Sequence, residues 1–126
     1  MSVDLNDILI AHWILFDYNV DDSICFMEPH HLFKIEDSIH FKALTSNDYK
    51  VYNRLIETTN QKEHSELKFK ELKESFNTST FHEDKIHIVY NNDLEKYIVQ
   101  DGCHRLSIIK LHALADVVPR DWFLIE

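Results

Sequence analysis

The sequence predicts an α+β fold, a small mixed sheet with packed helices and an N-terminal extension, in one domain of 126 residues. Three observations carry this. Independent domains usually run to ~100–150 residues, so the length suits one. Apolar residues make up 44% of the chain and aromatics 12%, enough to bury a core and to exclude wholesale disorder. From residue 50 onward the segments read strand, loop, helix, hairpin, turn, helix, strand, which is a mixed pattern.

Taken in order, Leu5, Leu9, Trp13 and Phe16 fit a helix with Asp4 as its cap, although the near-continuous apolar run also permits a strand. Ile39 to Leu44 is assigned to a strand. Tyr49 to Glu57 reads as a strand leading into a polar loop, Thr58 to His64. Ser65 to Phe76 reads as a helix, with a Ser65 cap and Phe69, Leu72 and Phe76 at helical spacing. Lys85 to Tyr90 alternates as a strand, Asn91-Asn92-Asp93 supplies turn chemistry, and Tyr97 to Val99 returns as the hairpin partner. Leu106, Ile109 and Ala113, widened by Ile108 and Leu111, mark a mostly buried helix. Ala115 to Pro119 and Trp122 to Ile125 form a final strand region. No repeat or low-complexity tract is present, and Pro29 and Pro119 mark no linker.

Thirteen Lys and Arg against 22 Asp and Glu give a net charge of −9. Holding DNA or RNA by phosphate neutralisation needs clustered cations, so a nucleic-acid partner is not expected. The two cysteines, Cys25 and Cys103, lie far apart without a CxxC motif, which suggests neither a disulfide framework nor a zinc knuckle and fits a cytoplasmic protein. The run from Ile8 to Phe16 is interrupted by His12, follows Asp4 and Asp7, and is too short to span a bilayer, so neither a membrane partner nor a signal peptide is expected. Among nine histidines, His30, His31, His82 and His87 lack metal-ligand spacing, and no metal site is assigned to them. His87 is expected on a strand facing solvent. Trp13, Phe16, Trp122 and Phe123 are assigned to the core, with Trp122 also placed to line an acceptor pocket.

Average usage would give about nine glycines in a chain this long. There is one, Gly102, between the β-prone Lys96–Gln100 and the helix that follows, so it marks a strand-to-helix turn. Such a turn aims free N–H groups and the positive end of the helix dipole at whatever lies in front. His104 and Arg105 occupy the first helical turn, where a cation opposes the dipole by ~0.3–1 kcal/mol. A bound anion would resolve that conflict: Gly102 allows close backbone approach, Arg105 can grip two phosphate oxygens, and Cys103 and His104 add donors. Alternatively, Asp101 caps the helix and offsets the charges.

The run Tyr97-Ile98-Val99-Gln100-Asp101-Gly102-Cys103-His104-Arg105-Leu106, followed by a helix and a Val-Pro step, resembles the signature of the ParB/sulfiredoxin-like superfamily. The likeness covers roughly residues 50–125, making 49–126 a nucleotide-binding core and 1–48 the extension. It implies a helix start that holds nucleotide phosphates. ParB-type partition proteins carry further DNA-binding elements for which this acidic chain has no room. Gly102-Cys103-His104-Arg105 matches the sulfiredoxin motif, which implies an ATP-dependent reductase with Cys103 as nucleophile, its thiolate favoured by the helix start, Arg105 and His104. Asp101, Gly102, His104 and Arg105 also match the free-serine kinase motif. Leu55 to Leu67 leading into Lys70-Glu71-Leu72 is similar to the kinase branch, with Ser65 where those enzymes carry their catalytic Glu.

The kinase branch therefore implies phosphoryl transfer from a nucleotide to the hydroxyl of a small molecule, serine-like or a sugar or polyol. Glu66 is the first choice for the base and Glu63 the second. ATP or ADP is the implied nucleotide, with CTP not separable from them. Mg²⁺ is implied as cofactor, with Asp101 or Glu57 assisting. A non-catalytic nucleotide- or phosphate-binding module is the alternative. The acceptor wall then comes from residues 1–48 or from a second subunit, as in a homodimer, or else the substrate differs.

Overall fold

A computed structural model describes residues 2–12, 15–17, 24–26, 31–58, 61, 63–76, 84–112 and 116–126, with side chains left aside at 15–17, 24–26 and 58. Trp13, Pro29, His30, His82 and Ala113, and the side chains of Phe16 and Cys25, thus lie outside the described residues. The architecture is α+β. A five-stranded mixed sheet has the order β5-β2-β7-β6-β9, comprising β2 (Ile8–His12), β5 (His31–Lys34), β6 (Ile86–Asn91), β7 (Lys96–Asp101) and β9 (Phe123–Ile125). Two antiparallel pairs accompany it, β1 (Ser2–Asp4) with β8 (Val117–Pro119) and β3 (Leu15–Asp17) with β4 (Ile24–Phe26). The helices are α1 (Ile39–Ser46), α2 (Lys50–Thr58), α3 (Glu66–Ser75) and α4 (Cys103–His112).

Two strands from the first 48 residues, β2 and β5, belong to the five-stranded sheet. β2 sits inside, antiparallel to β5 and parallel to β7. The helix expected over Leu5 to Phe16 is therefore corrected. Asp4 Oδ1 accepts from Asn6 N–H at 2.9 Å and caps only a short 3₁₀ turn, Leu5–Asp7. From there Ile8, Ile10 and His12 alternate buried with the half-buried Leu9 and Ala11, the period of a strand covered on one face.

Two further corrections concern helices read as strands. In Ile39–Ser46, Ser38 Oγ accepts from Phe41 N–H at 3.1 Å, and Ile39, His40, Ala43 and Leu44 are buried at helical spacing. In Lys50–Thr58 the β-prone Val51, Tyr52 and Ile56 suggest a strand, yet Tyr49, Tyr52 and Leu55 recur every third residue and share one buried face. The remaining elements follow the expected order. Ser65 caps α3, accepting from Lys68 N–H at 3.1 Å. Asn91 Oδ1 closes the hairpin turn on Leu94 N–H at 3.0 Å. The final strand region divides: β8 pairs with β1, whereas β9 lies parallel to β6.

α4 joins two cores. Leu106 and Ile109 pack with Ile8, Ile10, Ile86, Ile88 and Val99 of the sheet, while Ile108 packs with Leu44, Tyr52, Leu55 and Phe69 of the other helices. Phe123 belongs to the sheet core, and Trp122 packs against it half-buried, so the core assignment holds for both. No described helix is long and apolar enough to cross a membrane.

Candidate functional site

β7 ends at Asp101, and Gly102 alone separates it from α4. Gly102 has φ +110°, which side-chain-bearing residues rarely adopt, and an added Cβ would stand 3.1 Å from both the Ile86 side chain and Arg105 Nη2. A glycine is needed here on both counts. Gly102→Ala is expected to lower stability by about 2 kcal/mol through backbone strain and crowding against Ile86, measured by urea unfolding.

Leu106 N–H is bonded to Gly102 O at 2.8 Å, which leaves the preceding N–H groups of α4 at the head of the helix. In front of this turn opens a cleft of about 620 Å³, lined by Asp101, Gly102, Cys103, His104 and Arg105. All five residues singled out at the turn therefore share one cavity. The opposite walls come from Glu63, His64 and Lys68 around the start of α3, and from His12, His40 and Tyr52. Residues 1–48 thus do supply part of the wall.

The candidate bases separate. Glu66 is not among the cleft-lining residues: it accepts from Asn53 Nδ2 at 2.9 Å and from Lys70 Nζ at 2.8 Å. These two bonds hold its carboxyl below the usual carboxylate range. Its assignment as first-choice base is corrected on that geometry. Glu63 does line the cleft, its Oε1 3.7 Å from His64 Nε2. Ser65 is occupied as the α3 cap, its Oγ accepting from Lys68 N–H. Glu57 pairs with Arg54 at 3.4 Å and does not line the cleft, which removes it as a Mg²⁺ ligand there.

The turn's charges also differ from expectation. His104 is buried and shares a 2.7 Å hydrogen bond between its Nε2 and the Tyr52 hydroxyl. Burial, then the neighbouring His64 and Arg105, push its pKa down to about 3, so the ring is neutral and does not oppose the dipole. Arg105 is 13% exposed; it donates from Nη1 to the Asp84 carbonyl and from Nη2 to Lys85 O at 3.5 Å. Its guanidinium lies 3.3 Å from the Asp84 carboxylate and 3.7 Å from that of Asp101. Asp101 thus offsets Arg105 directly. Burial, then Asp101, push the Cys103 thiol up to about 12, away from the activated thiolate that a nucleophilic role would use.

Among the cleft residues that sequence reasoning missed are His12, His40, His64 and Tyr52. His12, His40, His64 and His104 form a chain of rings, with centroids 6.2 Å apart for His12 and His40, 4.8 Å for His40 and His104, and 4.1 Å for His104 and His64. Tyr52 touches two of these rings edge-on. The available signal was the burial period of β2 and α2, which places His12 and Tyr52 on inward faces. Among the described residues no three His, Cys, Asp or Glu side chains form a group that could hold a metal ion. His87 is half-buried rather than facing solvent, and its Nε2 lies 3.1 Å from Glu126 Oε1. No family model, curated protein or solved structure matches this chain.

Proposed function

We propose that the cleft binds a nucleotide by its phosphates at the Gly102–Arg105 turn and transfers a phosphoryl group to a hydroxyl of a small molecule. The observation that carries this is the opening of the α4 N-terminus, behind a glycine with positive φ, into a cavity that also holds a carboxylate, Glu63. The likeness of residues 97–106 to the ParB/sulfiredoxin-like superfamily, nearest its kinase branch, supports the same choice. A cytoplasmic enzyme is what that function and the cysteine usage suggest.

The chain's own groups divide the work. Backbone N–H groups at the head of α4 donate to phosphate oxygens without reorganising, because the helix fixes their direction. Arg105 has five N–H donors, of which the two carbonyls use two, leaving donors for a phosphate. Neutral His104 orients by hydrogen bonding and adds no charge. Glu63 is the carboxylate placed to take the acceptor's hydroxyl proton. Asp84 and Asp101 line the cleft beside Arg105 and are the groups that fit Mg²⁺, a cation usually held by one or two carboxylates together with phosphates. When bound, Mg²⁺ would neutralise charge on the transferring group.

Incubating the protein with Mg²⁺, ATP, ADP or CTP and a panel of alcohols, sugars and serine, followed by phosphorus NMR, tests this. A new phosphate ester is the expected result; nucleotide binding without any ester would leave a binding module, and no binding at all would remove the proposal. Once an acceptor is in hand, Glu63→Gln is expected to slow transfer by about 100-fold or more, whereas Glu66→Gln leaves the rate within a few-fold. Cys103→Ser is expected to keep most activity.

A further inference from the structure

The phosphate-holding role proposed above does not use His40. It stands in the first turn of α1, is 4% exposed, and lines the cleft. Its Nδ1 is buried without a hydrogen-bond partner. Buried polar groups are nearly always hydrogen-bonded, so the unanswered Nδ1 calls for a partner from outside the chain.

The surroundings restrict what that partner can be. Facing His40 are His12 from β2, Tyr52 from α2, Phe69 from α3 and His104 from α4. His64 is the next ring out. None of these is a carboxylate, a lysine or an arginine. His12 Nε2 accepts from Ile39 N–H at 3.2 Å, and His104 Nε2 is tied to the Tyr52 hydroxyl. Burial, followed by the three other histidines, holds the His40 pKa well below the usual histidine range, which leaves the ring neutral. A charged ligand group placed here would lose its hydration and find no counter-charge. Nδ1 of a neutral imidazole is a donor in one tautomer and an acceptor in the other, and a hydroxyl can answer either.

We propose that the floor of the cleft, at His40, binds a hydroxyl of an uncharged polyol or sugar. That this molecule is the phosphoryl acceptor rests on the function proposed above; that it binds does not. Charged residues do line the same cleft, Glu63, Lys68, Asp84, Asp101 and Arg105, so the selection of a polyol over an amino acid applies to the group seated at His40.

The test is a titration of the wild-type protein followed by nitrogen NMR of the imidazole rings, with glycerol, L-serine and acetate as probes. Glycerol is expected to move the His40 ring nitrogens saturably, and to do so at lower concentration than either charged probe. His40→Phe, which keeps an aromatic ring between Tyr52 and Phe69, is expected to abolish the saturable response read at His104 while leaving Mg²⁺–ADP affinity unchanged. The proposal is overturned if glycerol leaves His40 unmoved, if L-serine or acetate acts at equal or lower concentration, or if a folded His40→Phe protein loses nucleotide affinity. Should that variant not fold, the wild-type titration decides alone. A glycerol response in a protein that binds no nucleotide would remove the phosphotransferase function and keep this site.

Discussion

Lowering the pH from 7.5 to 5 is expected to cost the folded state about 2 kcal/mol through His104 alone. The unfolded chain carries this histidine at its ordinary pKa of 6.5, whereas burial holds it at about 3 in the fold. Between those two values the unfolded state binds the proton and the folded state does not. Stability is therefore fully present above pH 6.5 and is lost as the pH falls from there towards 3. At pH 5 the chain is 1.5 units into that window, at about 1.36 kcal/mol per unit. His40 adds in the same direction, since burial and its histidine neighbours lower its pKa too. Glu66 and Asp116, both held below their ordinary values, contribute stability that is lost in the same direction, chiefly as the pH falls through the carboxylate range below this window. Urea unfolding at the two pH values measures the difference, and in His104→Gln it should shrink by about 2 kcal/mol. An unchanged difference in that variant would mean that His104 is not buried neutral.

The strand-to-helix turn was legible because its signals are local. A lone glycine after a β-prone run and before an amphipathic helix fixes where the backbone must turn, and the observed φ of +110° is what only that residue tolerates well. The α3 cap and the Asn91 hairpin turn were legible for the same reason, each being a side chain bonded within three residues. What the sequence hid is set by tertiary partners. Tyr49, Val51, Tyr52 and Ile56 look like a strand by composition, and only the packing of Tyr52 and Leu55 against Phe69 and Ile108 makes the segment a helix. His40 and His12 entered the cleft unseen because both elements that carry them were assigned the wrong period. The charge state of the turn was hidden as well. Positive residues at a helix start suggest a waiting anion, but burial neutralises His104, and Asp84 and Asp101 already face Arg105. Glu66 likewise gave no sign in sequence that Asn53 and Lys70 would turn it from the cleft.

Arg105→Ala is expected to weaken Mg²⁺–nucleotide affinity by about 2 kcal/mol, a loss of roughly 30-fold. Two effects add. The phosphate loses a charge-assisted donor at the head of α4, and the Asp84 and Asp101 carboxylates, both cleft-lining, lose the guanidinium that stands between them and the incoming anion. The fold should suffer less, by about 1–2 kcal/mol, because the Asp84 and Lys85 carbonyls give up an arginine donor but lie in an exposed stretch where water can replace it. Arg105→Lys separates the two contributions. It keeps the positive charge but not the planar fork that spans carbonyls and phosphate together, so it should restore only part of the affinity. Calorimetric titration of the three proteins with Mg²⁺–ATP, alongside urea unfolding of each, gives both quantities. If the alanine variant binds nucleotide as tightly as the wild type, phosphate does not sit at this turn, and the cleft must hold its ligand from the histidine side instead.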